Sequence, residues 1–152
     1  MKHLKLQTFL ILLSILCLPL ISFTTGESTP SQIRGTWSGQ WKSPSGSIYT
    51  GIMTLVPTGD RTVEGRINWT MNRSPGAEEQ SRLEMTGIEF VRGSYDPENR
   101  VLSLEGYARN DPKIILGLDK YRLILPENSA AIGGVTWNHG SWKGLFGLLR
   151  ME

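Results

Sequence analysis

Short runs that alternate between apolar and polar residues, many with a glycine inside, dominate the chain after residue 33. They include TVEGRINW, LSLEGYA and AIGGVTW. Successive side chains of a strand point to opposite faces, so Val63, Ile67 and Trp69 within residues 61–70 predict a strand with one buried face. Because glycine weakens a strand interior, its repetition beside aromatic residues indicates a sheet that bends sharply or meets another backbone closely.

Eight segments have this strand character, and turn sequences such as SPSG, PTGD, DPEN and PENS separate most of them. Short turns favour antiparallel neighbours, and closure removes exposed sheet edges. The sequence therefore predicts an all-β fold, an eight-stranded antiparallel meander β-barrel, with a two-sheet β-sandwich as the alternative. The predicted strands are residues 34–41, 48–56, 61–70, 84–95, 100–108, 119–125, 130–137 and 141–149.

The first 26 residues have the composition of a secretory signal peptide. Two lysines precede the apolar run FLILLSILCLPLISF, and the small residues Thr24 and Gly26 follow it. The run is shorter than the about 18 residues of a spanning helix, and Pro19 interrupts it. We expect a cleaved signal and a secreted or periplasmic protein with no membrane span after cleavage. An uncleaved anchor and a lipid anchor on Cys17 are the alternatives.

The domain that remains is neutral and has no cysteine. Residues 27–33 are predicted to be a short polar linker, and residues 34–152 a single domain. The whole chain has 16 basic and 14 acidic residues, and Lys2 and Lys5 lie in the signal, which leaves 14 of each. This balance gives no argument for a nucleic-acid partner, and the absence of cysteine excludes a disulfide framework.

Three groups of residues resemble the calycin-type barrels, namely the lipocalins and avidins. Gly35, Thr36 and Trp37 match the GxW sequence that opens the first strand in both families. Asp119 and Tyr121 resemble the lipocalin TDY motif, with Leu118 in place of its threonine, and Arg150 corresponds to the C-terminal lipocalin arginine. The length is closer to the avidin plan. The resemblance implies a small barrel over the whole mature chain, and it gives no support to biotin binding.

Aromatic residues are the candidates for a ligand site. An eight-stranded barrel is just wide enough to be filled by side chains or to hold one small ligand. Aromatic side chains at its mouth could form a cage for an apolar ligand or a sugar face, whereas the alternative is that they fill the interior. Trp69 shares a strand face with Val63 and is expected in the core. The predicted ligand-binding residues are Trp37, Trp41, Trp137, Trp142 and Tyr121.

The sequence shows no catalytic or metal-binding motif. His139 is the only histidine after the signal and is predicted to lie in a turn, so a zinc site has no second ligand. Glu64, Glu89 and Glu105 fall in the middle of predicted strands and are expected to face solvent. An enzyme would need two such carboxylates pointing inward. We therefore predict no catalytic residues, no metal, no cofactor and no enzymatic activity.

Two further segments carry apolar residues where a simple meander does not need them. Residues 109–118, RNDPKIILGL, are predicted either to form a lid over a ligand cavity or to begin the sixth strand early, with a bend at Gly117. In the last strand Leu145 and Leu149 lie on the face opposite Trp142 and Phe146, which indicates a covered outer face. A homo-oligomer or a protein partner would supply that cover.

These observations favour a non-enzymatic barrel that binds a small apolar or sugar-like ligand in its mouth. The alternative is a protein-interaction or inhibitor module of the cell envelope that acts through the outer face of the last strand. Whether the barrel is hollow or filled decides between them.

Overall fold

The computed structural model describes residues 30–127, 130–138, 140 and 142–152, so the predicted signal peptide and His139 lie outside the described residues. Each strand pairs antiparallel with the next one along the chain, and the first pairs with the last. The predicted meander barrel is confirmed, and the sandwich alternative is wrong. None of the helices among these residues is long and apolar enough to span a membrane.

The strands lie close to their predicted positions, with ends that differ by a few residues. The turn of helix α1 (Pro30–Ile33) precedes them, and the 3₁₀ helix Ala77–Arg82 lies between β3 and β4. The strands are β1 (Gly35–Lys42), β2 (Ile48–Pro57), β3 (Thr62–Arg73), β4 (Thr86–Asp96), β5 (Val101–Asn110), β6 (Lys120–Ile124), β7 (Ala131–Trp137) and β8 (Lys143–Arg150).

One end of the barrel, the closed end, is sealed by α1, Trp37 and Arg150. Trp37 is fully buried at the start of β1, and its indole N–H donates to the Ile33 carbonyl oxygen over 3.2 Å. The Arg150 guanidinium lies 4.1 Å from the centre of the Trp37 ring and donates to the Arg34 carbonyl oxygen over 2.7 Å. Ile33 is buried in the core. Helix α1 thus covers this end of the barrel through Ile33, whose apolar side chain it buries.

Several strand glycines mark places where neighbouring strands approach too closely for a side chain. A β-carbon at these positions would overlap the carbonyl oxygen of a residue on a neighbouring strand of the barrel, which supports the predicted bends in the sheet. The pairs of glycine and opposing carbonyl are Gly39 with Gly147, Gly65 with Thr54, Gly93 with Ser103, and Gly134 with Arg122.

Two glycines of β8 provide a matched test of this steric requirement. A β-carbon at Gly144 would overlap the Trp41 indole, whereas one at Gly147 would meet nothing within 4 Å. We expect Gly144→Ala to lower the free energy of unfolding by about 1–3 kcal/mol, because Trp41 must move. Gly147→Ala should change it by less than about 0.5 kcal/mol. Urea unfolding measures both, and equal midpoints for the two variants would contradict the assignment.

Candidate functional site

A cavity of about 260 Å³ lies at the end of the barrel opposite Trp37. We call it the chamber. Five aromatic side chains line it together with three carboxylates, Glu79, Glu89 and Asp119. The aromatic residues come from four strands and from the connection before β8; they are Trp41, Tyr49, Trp69, Tyr121 and Trp142.

The aromatic rings pack as a cage. The ring plane of Tyr49 is nearly perpendicular to those of Trp41 and Trp69, at 79° and 85°, with centroids 5.5 and 6.3 Å apart. Trp142 stacks on Trp41 at 5.8 Å. Phe146 lies beneath, with its centroid 4.8 Å from that of Trp69. Perpendicular ring faces give the chamber apolar walls on more than one side.

Three glycines make room for chamber residues. A β-carbon at Gly51 would lie 2.6 Å from the Trp69 ring, and one at Gly106 would overlap the Glu89 carboxylate. A β-carbon at Gly144 would overlap the Trp41 indole in the same way. Glycine is therefore needed where the cage side chains lie flat against a neighbouring strand.

Glu89 is the central polar residue of the site, and its side chain is only 2% exposed. Its Oε2 accepts a hydrogen bond from the Trp69 indole N–H over 3.1 Å and another from the Tyr121 hydroxyl. Its Oε1 accepts one from the backbone N–H of Asp119 over 2.9 Å. Burial raises the pKa of Glu89 to about 7, although these hydrogen bonds act to lower it.

The prediction that Glu89 faces solvent is wrong. Inward positions of β4 alternate through Tyr95, Val91 and Glu89, whereas Ile88 and Phe90 are only partly buried on the other face. The burial is tolerated because three donors meet the carboxylate. Glu64 and Glu105 do face solvent, as the alternation predicts.

Asp119 is another carboxylate of the chamber wall. It precedes β6, its side chain is half-buried, and burial raises its pKa to about 6. Burial and the nearby Glu89 keep the pKa of Tyr121 well above its ordinary value, so Tyr121 remains a hydrogen-bond donor at neutral pH. Among the described residues, no cluster of three or more histidine, cysteine, aspartate or glutamate side chains could hold a metal ion.

Residues 111–119 form a loop over the chamber. The Asp111 carboxylate accepts hydrogen bonds from the backbone N–H groups of Ile115 and Leu116, over 3.1 and 2.7 Å. The Tyr49 hydroxyl donates to the Ile115 carbonyl oxygen over 3.0 Å, which ties the loop to β2. Because β6 begins only at Lys120, an early start of the sixth strand is wrong, and the apolar loop covers the cavity.

The structure brings together three of the five predicted ligand-binding residues. Trp41, Trp142 and Tyr121 line the chamber, whereas Trp37 seals the closed end and Trp137 lies on the outer surface, 37% exposed. Sequence reasoning placed Trp69 in the core and did not assign Tyr49, Glu89 or Asp119 to a ligand site. Side chains alternate between the two faces of a strand, so counting every second residue of β4 back from Tyr95 would have placed Glu89 in the barrel interior.

The raised pKa of Glu89 predicts a pH-dependent stability. Between its ordinary value of 4.5 and about 7, Glu89 binds more protons in the folded state than in the unfolded state, so its contribution to stability falls as pH rises. From about pH 5 to about pH 8, we expect wild type to lose roughly 1–3 kcal/mol more unfolding free energy than Glu89→Gln. Urea unfolding measures this difference, with Glu64→Gln as the exposed control. Parallel pH profiles for wild type and Glu89→Gln would contradict it.

Comparison with known proteins supports the fold. No protein-family model matches the chain, and no curated protein matches it. A solved structure of EF1p2_mFAP2b bound to DFHBI is similar to this chain, with a TM-score of 0.59 and 10% sequence identity. The match covers 82% of this chain and 98% of that chain. Identity this low shows the fold alone, so the comparison supports the small β-barrel and assigns no family.

Proposed function

We propose that this chain is a non-enzymatic barrel of the lipocalin or avidin type that binds a small apolar or sugar-like ligand in the chamber. The observation that carries the proposal is the aromatic-lined cavity at one end of a barrel whose other end is sealed. The similar barrel bound to DFHBI supports it, since that protein also holds a ligand. The signal-like first 26 residues support a secreted or periplasmic location.

The size of the chamber limits the ligand. Pockets for drug-sized ligands usually measure about 300–1,000 Å³. At about 260 Å³, the chamber fits a single or fused ring with a short substituent. The ring faces of Trp41, Tyr49 and Trp69 suit a flat apolar ring or the apolar face of a sugar.

Ligand binding explains the site better than catalysis. An inward carboxylate with a pKa near neutrality is one requirement for acid–base chemistry, and Glu89 meets it. However, hydrogen bonds hold both of its oxygens, and the described lining residues include no serine, cysteine or histidine nucleophile. We therefore propose that this carboxylate, fixed in position by its donors, orients a ligand through its charge.

The two exposed tryptophans offer a matched test of the binding site. Both are similarly exposed, Trp142 at 40% and Trp137 at 37%, but only Trp142 lines the chamber. We expect isothermal titration calorimetry to detect binding of indole or methyl glucoside to wild type. Trp142→Ala should weaken that binding by about tenfold through the loss of a stacked ring, and Trp137→Ala should leave it unchanged. Absence of binding to wild type, or equal losses in the two variants, would contradict the proposal.

A second candidate function is a protein-interaction or inhibitor module of the cell envelope. Four apolar side chains on the outer face of β6, β7 and β8 support it, and we call them the outer stripe. Val135 and Leu145 are paired across β7 and β8, and Gly147 leaves the face flat between Leu145 and Leu149. The members of the outer stripe are Ile124 (56% exposed), Val135 (46%), Leu145 (65%) and Leu149 (65%).

Analytical ultracentrifugation tests the outer stripe. We expect wild type to sediment as an oligomer and the double variant Leu145→Ser, Leu149→Ser as a monomer, because the change removes apolar surface that association would bury. Arg66→Ser, an exposed change on β3, is the control and should sediment as wild type does. A monomeric wild type that also captures no partner from its native extract would count against this function.

A further inference from the structure

The charged groups that line the chamber are mainly acidic. The described lining residues include three carboxylates, Glu79, Glu89 and Asp119, and one guanidinium, that of Arg82. Arg82 donates to the Ile114 carbonyl oxygen over 3.1 Å, so part of its hydrogen-bonding capacity is used within the loop over the chamber. If all four groups are ionised, negative charges exceed positive charges by two. A neutral ligand leaves this excess without a counter-charge.

The surroundings of Glu89 favour its ionised form but do not compensate its burial. Each neighbour that hydrogen-bonds to it, namely Trp69, Tyr121 and the Asp119 backbone, acts as a donor. Three donors suit a carboxylate, which only accepts. Even so, the cost of burying the charge remains larger than the gain from these hydrogen bonds. A positive charge inside the chamber would supply the missing compensation.

The aromatic walls of the chamber also suit a positively charged ligand. A cation is attracted to the face of an aromatic ring, most strongly to tryptophan, and cages of several rings recognise organic ammonium groups. Trp41 and Trp69 stand on either side of Tyr49 with ring planes close to perpendicular to it. Their faces and the two carboxylates Glu89 and Asp119 line one cavity.

We propose that the chamber binds a small organic cation, a protonated amine carried by a single or fused ring. This inference rests on the proposed function and specifies its ligand class. The ring lies among Trp41, Tyr49 and Trp69, and the ammonium group lies against Glu89 and Asp119. The cavity of about 260 Å³ admits a ligand on the order of ten non-hydrogen atoms.

Two probes that share a ring and a two-carbon arm separate charge from shape. Tryptamine carries an ammonium group where tryptophol carries a neutral hydroxyl. At about pH 8, we expect isothermal titration calorimetry to show tryptamine binding at least about tenfold more tightly than tryptophol. The preference should shrink at about pH 5.5, because protonation neutralises Glu89 and Asp119 while the amine stays charged.

Variants assign the preference to the carboxylates. Glu89→Gln and Asp119→Asn should each weaken tryptamine binding severalfold and leave tryptophol binding within about twofold. Glu105→Gln, an exposed change on β5, should leave the affinities for both probes unchanged. Circular dichroism at each pH checks that the barrel remains folded. If a variant does not fold, the comparison of the two probes on wild type still tests the inference.

The outcomes separate this inference from the proposed function. If tryptophol binds as tightly as tryptamine, the chamber binds small rings without regard to charge, and the inference fails while the proposed function stands. A preference for tryptamine that survives both variants and the acidic pH would also overturn it. If neither probe binds, and indole and methyl glucoside do not bind either, both the inference and the proposed function fail.

Discussion

The hydrogen bonds to the buried carboxylate of Glu89 hold together the end of the barrel that contains the chamber. Glu89 lies on β4, and its donors come from β3 through Trp69 and from the start of β6 through Asp119 and Tyr121. β5 lies between β4 and β6, and Gly106 provides the space in which the carboxylate fits. One side chain thus links β4 by hydrogen bonds to β3 on one side and, across β5, to the start of β6. Its burial costs free energy, because the ordinary state of a carboxylate at neutral pH is charged and hydrated. The chamber is therefore built around the Glu89 carboxylate, which is held in position by its hydrogen-bond donors.

The closed end is held together by a different kind of packing. Trp37, Ile33 and neighbouring apolar residues are almost fully buried there, and the Arg150 guanidinium covers the Trp37 ring while it donates to backbone carbonyls before β1. Apolar burial of this kind is favourable without any ligand. The barrel therefore has one end in which side chains fill the interior and one end in which aromatic rings surround a cavity. The question whether the barrel is filled or hollow has a different answer at each end.

The sequence predicted the fold well because strand periodicity and turn chemistry are local properties. Gly35–Trp37 and Arg150 carried the resemblance to calycin-type barrels, and the structure places the side chains of Trp37 and Arg150 in contact. The site was predicted less completely. Trp37 lies at the wrong end of the barrel to line the chamber, and Trp137 lies on the outer face of the sheet. Both positions depend on strand register and barrel closure. Glu89 was assigned to solvent because charged side chains are usually exposed. Its donors are 20, 30 and 32 residues away in sequence, so no local pattern shows them.

The strand glycines connect the fold to the site. At Gly39, Gly65, Gly93 and Gly134, a side chain would collide with the backbone of a neighbouring strand, so glycine permits the close approach of strands in the curved sheet. At Gly51, Gly106 and Gly144, a side chain would collide with Trp69, Glu89 and Trp41 instead. The second group of glycines contributes by its lack of a side chain, because the chamber side chains occupy the space that a β-carbon would need. A sequence change that filled this space would displace the cage side chains, even in a barrel whose strand order was unchanged. The same residue type therefore shapes the barrel and makes room for the side chains that line the chamber.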